Sequence, residues 1–169
     1  MADERQEDPS DMFTITEFQE GQVFQDDLVR VTALRVEHPP LTDTFALKFE
    51  SSGKTADFSA DTCYHPPLAD FALGADVLVH EVMHLEGTER MCARLKDIKP
   101  NLLAHMIAGH TFGDDVGRIA EAAGVGRLVV QHFTPSDDPS TGPGDFAALV
   151  RETWSGPLTV GEDLCEIVI

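Results

Sequence analysis

The sequence predicts a single α/β domain in which helices pack on a layered β-sheet. Strand-like apolar segments alternate with helix-like segments through the second half of the chain, which is the pattern of α/β proteins. Two of these segments, residues 76–80 and 127–131, are almost continuously apolar, as strands buried on both faces are. The length of 169 residues is that of one domain with a core of its own.

Three strands are predicted in the first half of the chain. Residues 28–37 are rich in β-branched side chains, and the His-Pro-Pro at 38–40 ends this strand because proline lacks the N–H that a sheet needs. Residues 45–49 alternate apolar and polar side chains, which predicts the second strand. The Ser-Ser-Gly-Lys sequence at 51–54 predicts a hairpin turn that leads into a third strand at 55–60.

The clearest helix of the second half covers residues 113–123. Asp114 and Asp115 lie in its first turn, where the helix dipole favours acidic side chains, and Gly124 is placed to end it. The remaining predicted elements are a short helix at 67–73, one or two helices within 82–109 interrupted at Pro100, a helix at 146–154, and closing strands at 158–160 and 164–169.

The chain carries a large excess of negative charge. Twelve Lys and Arg against 30 Asp and Glu give a formal net charge of −18. Such a surface repels polyanions, so nucleic acid is an unlikely partner. Residues 1–12 are predicted to form a disordered acidic tail before a folded domain at 13–169. Since no secretory signal or membrane-length apolar run is visible and the three cysteines are far apart, a cytoplasmic protein without membrane contact is expected.

Histidine and aspartate recur at the predicted ends of strands. His38, Asp61, His80 and His132 each follow a strand, and His110 precedes the 113–123 helix. In open α/β sheets, ligands bind in the crevice at the carboxyl ends of the strands. Imidazole nitrogen and carboxylate oxygen are ligands of Zn²⁺ and similar ions, so this set predicts a metal site.

One short motif favours a different enzyme class. Residues 80–84 read His-Glu-Val-Met-His and fit the H-E-x-x-H pattern of zinc peptidases. That motif needs a helix, which places both histidines on one face, whereas the preceding residues 76–79 predict a strand. The peptidase interpretation is therefore kept only as an alternative.

Five segments together resemble a known family. They are VRVTALRVEHPP, SADT, GADVLVHEVM, GHTFGDDVGRIAEAAGVGRLVVQHFTPSDD and GEDLCEI, in this order. The set is similar to the C-terminal half of metallo-β-lactamase-fold hydrolases, in the branch of ribonuclease Z and the arylsulfatase-like enzymes. The resemblance implies half of an αβ/βα sandwich, with a mixed sheet and helices on one face.

The resemblance also implies roles for individual residues. Asp61 corresponds to a carboxylate that bridges two divalent ions, zinc in the first place with Mn or Fe as alternatives, and His110 corresponds to the last histidine ligand. His80, with Glu81 beside it, corresponds to the group that protonates the leaving group. Three more residues are expected to support the ligands without touching the ions: His38, Thr62 and His132.

One departure from the family affects the expected function. The first half of that fold carries an H-x-H-x-D-H motif, and no two histidines of this chain are separated by a single residue. We therefore expect a metal-dependent hydrolase of a small ester or phosphodiester that is incomplete without an N-terminal half. Self-association or pairing with that half is expected to cover the exposed sheet face. The alternatives are a non-catalytic half-fold binding module and the zinc peptidase.

Overall fold

A computed structural model describes residues 12–169, so the predicted tail lies almost entirely outside the described residues. One seven-stranded mixed sheet has its strands in the order of the chain. The first four strands are antiparallel, and the last three continue the sheet parallel to the fourth. The strands are β1 (Gly21–Gln25), β2 (Arg30–His38), β3 (Leu41–Ser51), β4 (Lys54–Phe58), β5 (Val77–Met83), β6 (Leu128–Thr134) and β7 (Leu158–Val160).

The helices lie in the connections between the parallel strands. Because such crossovers are right-handed, successive connections place their helices on the same face of the sheet. The helices are α1 (Pro67–Phe71), α2 (Leu85–Arg94), α3 (Leu102–Gly109), α4 (Gly113–Ala123) and α5 (Pro143–Arg151). A single apolar core, which includes Leu68, Leu78, Val116, Leu128 and Val150, joins α1, α4 and α5 to the sheet. The predicted α/β class with a mixed sheet is therefore confirmed.

Helix α4 has the bounds that the sequence predicts. Gly124 follows it in the left-handed conformation with φ of 60°, and its N–H donates to the carbonyl oxygen of Ala120. Gly117 lets α5 pack closely, because a Cβ at this position would lie 2.6 Å from the carbonyl oxygen of Val150. The α4–α5 contact thus depends on the absence of a side chain.

The opposite face of the sheet is apolar and only partly covered. Phe24 and Phe58 remain 51% and 42% exposed on it. The C-terminal residues 161–169 lie against β4, β5 and β6, and they enclose a cavity of about 360 Å³ with the sheet. None of the described helices has the length and apolar character needed to cross a bilayer.

Several predicted bounds are wrong, and two of them affect the site. The strands predicted to stop at residues 80 and 131 continue to Met83 and Thr134, so His80 and His132 lie inside strands. The predicted strand at 164–169 is absent among the described residues, and β1 was not expected. Helix α5 begins three residues earlier than predicted, at Pro143, where the missing N–H is tolerated.

Candidate functional site

The carboxyl ends of four strands bring the candidate residues to one edge of the sheet. Strand β2 runs in the same direction as β4, because each is antiparallel to β3, and β5 and β6 are parallel to β4. His38 is the last residue of β2, Asp61 follows β4, Glu81 lies near the end of β5, and His132 lies near the end of β6. His110 joins this group from the segment between α3 and α4.

Two backbone irregularities aim Asp61 and His132 at each other. Asp61 Oδ2 lies 3.2 Å from His132 Nε2, and both side chains are accessible to solvent. His132 has a left-handed φ of 48° and is an extra residue in β6, since Glu81 pairs with Gln131 and Val82 with Phe133. Ala60, directly before Asp61, also has a positive φ of 57°. A carboxylate oxygen and an imidazole nitrogen therefore converge at the mouth of the site.

Glu81 and His110 form a second, buried pair. Glu81 is fully buried; its Oε1 accepts the Thr111 N–H at 2.6 Å, and its Oε2 lies 3.2 Å from His110 Nδ1. Burial lowers the pKa of His110, but the hydrogen bond and charge of Glu81, aided by the charge of Asp61, outweigh it and raise the pKa overall. Because Nδ1 of His110 contacts the Glu81 carboxylate, Nε2 is the ring nitrogen that can hold or release a second proton.

His38 extends the site as a third ring. Its Nδ1 lies 2.8 Å from the carbonyl oxygen of Gly109, and because a carbonyl only accepts, this nitrogen donates. In the neutral ring, Nε2 therefore keeps its lone pair. The His38 and His110 rings meet edge to face, with their centroids 5.3 Å apart, and the His110 and His132 rings are stacked, with their centroids 5.8 Å apart. Three imidazoles thus stand in a row along the edge of the sheet.

Hydroxyl groups that the sequence did not single out tie the segments of the site together. Ser59 Oγ accepts the backbone N–H of Glu81 at 3.1 Å, which links β4 to β5. Thr111 Oγ1 donates to the carbonyl oxygen of Thr62 at 2.7 Å, which links the segment before α4 to the loop after β4. Thr62 itself is fully buried, so it supports the loop that carries Asp61. No sequence signal distinguishes Ser59 and Thr111 from other hydroxyl residues.

His80 does not join the site. Since β5 continues past it, its side chain points away from that of Glu81 and is completely buried. Its Nδ1 contacts the carbonyl oxygen of Glu81 at 2.6 Å, and no described residue offers its Nε2 a hydrogen-bond partner. Burial lowers the pKa of His80, which favours the neutral ring. A proton donor to a leaving group must reach the substrate, and this side chain does not reach the surface.

The H-E-x-x-H motif is split between two elements, so the peptidase interpretation is wrong. His80 lies in a strand, whereas His84 is the residue that caps the N-terminus of α2. The Gly87 N–H donates to His84 Nδ1 at 3.1 Å, and this explains the second histidine as a helix cap. The two imidazoles do not share a helix face.

The described residues do not form a complete metal site. Within residues 12–169, no three His, Cys, Asp or Glu side chains are spaced to hold an ion. Asp61 and His132 supply two converging donors, whereas a structural or catalytic zinc site takes at least three protein ligands. The structure brings Asp61 into direct contact with His132, at 3.2 Å, whereas the direct contact of His110 is with Glu81 through Nδ1.

Comparison with known proteins agrees with this architecture. No family model matches the chain. A putative ribonuclease Z of Mycobacterium tuberculosis is 30% identical over 92% of this chain and 66% of its own length. The metallo-β-lactamase-fold protein YhfI from Bacillus subtilis superposes with a TM-score of 0.64 and 23% identity, over 86% of this chain and 52% of its own. This chain is a ribonuclease Z-like protein of the metallo-β-lactamase fold.

The ribonuclease Z-like chain spans about half to two thirds of the proteins it matches. The short form of human tRNase Z, also a fold neighbour, has a TM-score of 0.55 and 20% identity, over 88% of this chain and 45% of its own. Two of these relatives are named as ribonucleases. Their names conflict with the expectation, drawn from the charge alone, that nucleic acid is an unlikely partner.

Proposed function

We propose that this chain contributes one half of the centre of a metal-dependent hydrolase that cleaves an ester or phosphodiester bond. One observation carries the proposal: the Asp61 carboxylate and the His132 imidazole converge to 3.2 Å beside the buried Glu81–His110 pair. Oxygen and nitrogen donors next to a proton-carrying pair are the parts that hydrolysis needs from a protein. The likeness to a ribonuclease Z supports the reaction class.

The two pairs of residues have different proposed roles. Asp61 and His132 are the two metal ligands of this chain, for Zn²⁺ or a similar divalent ion, and the remaining ligands come from polypeptide outside residues 12–169. Glu81 holds Nδ1 of His110, so that Nε2 can deliver a proton to the leaving oxygen. His110 takes over the proton role that the family resemblance assigned to His80, and His132 takes over the ligand role assigned to His110.

The proposed substrate is a small ester or phosphodiester. The ribonuclease names of the relatives favour a phosphodiester, while the net charge of −18 opposes long contact with an RNA backbone. A short phosphodiester satisfies both observations, because only the reacting phosphate has to approach the site. We also propose that a complementary half covers the apolar sheet face on which Phe24 and Phe58 are exposed.

The incomplete set of donors also favours a second candidate, a non-catalytic binding module. Such a module would keep the half-fold and its apolar face but would not need a metal ion. The two candidates therefore differ in whether Asp61 and His132 bind a metal.

Zinc titration of the full chain, followed by calorimetry, tests the proposal. We expect one weak site per chain, whose affinity falls by ~10-fold or more in Asp61→Ala and in His132→Ala. His105→Ala is the matched control, since His105 is an exposed histidine on α3 outside the site. Unchanged zinc binding in both site variants would reject the ligand assignment. No binding by the wild-type chain or by its mixture with a complementary half would favour the non-catalytic module.

A further inference from the structure

A second concave surface lies between the N-terminal ends of α2 and α4 and the side of α5. It has a volume of about 420 Å³, which lies within the range of small-molecule sites. Leu85, Phe112 and Leu149 contribute apolar walls, and Met83 at the end of β5 is fully buried beneath them. The sequence did not predict this pocket, because its walls come from three separated segments.

The pocket adjoins the Glu81–His110 pair through the backbone. The Met83 N–H donates to the carbonyl oxygen of Thr111 at 2.8 Å, and the Thr111 N–H donates to Glu81 Oε1. Met83 and Phe112 also pair as an isolated β-bridge. Two lining residues of the pocket are therefore each two positions from Glu81 or His110. The same two backbone segments therefore carry the Glu81–His110 pair and one wall of the pocket.

The polar groups around the pocket select the kind of ring that fits. Glu86 and Asp114 line it, and each pairs with an arginine of its own helix, Arg90 at 3.9 Å and Arg118 at 2.8 Å. Each carboxylate keeps further acceptor sites, and the described lining residues include no lysine or arginine for a phosphate contact. His84 also lines it; because its Nδ1 accepts the Gly87 N–H, the hydrogen of the neutral ring is on Nε2, which donates. Apolar walls with acceptors and one donor fit a flat heteroaromatic ring that carries an amine next to a ring nitrogen.

We propose that this pocket binds an adenine-type base of the substrate, next to the bond that is cleaved. The proposal rests on the hydrolase function proposed above and names the part of the substrate that gives specificity. The amine donates to the carboxylates, the adjacent ring nitrogen accepts from His84, and the ring lies between Leu85, Phe112 and Leu149. Recognition through a base rather than through phosphates is compatible with a strongly acidic protein.

Titration of the ¹⁵N-labelled chain with adenosine and with inosine tests this assignment without metal or activity. Inosine replaces the amine by a carbonyl and carries a hydrogen on the adjacent nitrogen, so it presents the opposite donor and acceptor pattern. We expect adenosine to shift the amide signals of Met83, Leu85 and Phe112, and to bind ~10-fold more tightly than inosine. Equal affinity for the two nucleosides, or shifts confined to other regions, would overturn the proposal.

Variants of the pocket separate binding from folding. Leu149→Phe fills a partly exposed position in the wall and should abolish the adenosine shifts, with Leu85→Phe as a second variant if the first does not fold. Glu86→Gln should reduce the preference for adenosine, whereas Glu89→Gln, an exposed glutamate on the same helix, should not. Retained adenosine binding in both filling variants would refute the pocket. Asp61→Ala should keep adenosine binding, so a failure of the metal proposal remains distinguishable.

Discussion

Replacing Asp57 with asparagine should stabilise the protein above neutral pH. The Asp57 side chain on β4 is fully buried, and neither carboxylate oxygen has a hydrogen-bond partner among the described residues. The pKa of Asp57 is raised to about 7, mainly by burial. The positive charge of Lys48 opposes this rise with a smaller effect, and the negative charge of Glu50 adds to it. Lys48, opposite on β3, donates to the carbonyl oxygen of Phe71 instead. Asparagine keeps the shape of the acid without its charge.

The sign and size of the pH effect on stability follow from the difference between the pKa of Asp57 in the folded protein, about 7, and its ordinary value of 3.8. Between these values the folded protein holds a proton that the unfolded chain has released, so stability falls as pH rises. At about 1.4 kcal/mol per pKa unit, the full loss is about 4 kcal/mol above pH 7. Asp57→Asn should remove this loss, because the amide does not ionise.

Urea unfolding at a series of pH values, followed by the fluorescence of Trp154, measures the effect. Between about pH 5.5 and pH 8, the stability of Asp57→Asn should gain about 2 kcal/mol over the wild type. Asp70→Asn, an exposed aspartate on α1, controls for the loss of one negative charge and should give no such divergence. A constant difference between Asp57→Asn and wild type across this range would refute the reasoning.

Three further predictions concern packing, capping and association. Gly117→Ala should lower the free energy of unfolding in urea by about 1–3 kcal/mol, because the added Cβ meets the backbone of α5. Gly144→Ala, with open space around it, is the control and should be near neutral. Equal effects of the two substitutions would contradict the close packing. His84→Ala should lower the free energy of unfolding by about 0.5–2 kcal/mol through loss of the cap on the Gly87 N–H, and an unchanged value would reject the capping role. The chain should self-associate in sedimentation velocity. Phe58→Glu, on the partly covered apolar face of the sheet, should reduce this association, and a monomeric wild type would contradict the prediction.

Much of the fold follows from local signals in the sequence. The bounds of α4 are encoded by acidic residues in its first turn and by Gly124, and β7 lies at the residues where it was predicted. The ends of β5 and β6 were misplaced because a buried strand can continue through polar residues when a neighbouring strand pairs with them. Glu81 pairs with Gln131 inside the sheet, and periodicity alone gives no signal for that pairing.

Composition and spacing are enough to predict the α/β class and the charged and imidazole side chains of the site, but not Ser59 and Thr111. Which of these side chains meet depends on the three-dimensional fold. The extra residue in β6 turns His132 toward Asp61, and the opposite orientation of successive strand residues sends His80 into the core while Glu81 reaches His110. Strand register and bulges depend on hydrogen bonds between strands that are far apart in the chain, whereas composition and spacing carry information only about neighbouring residues.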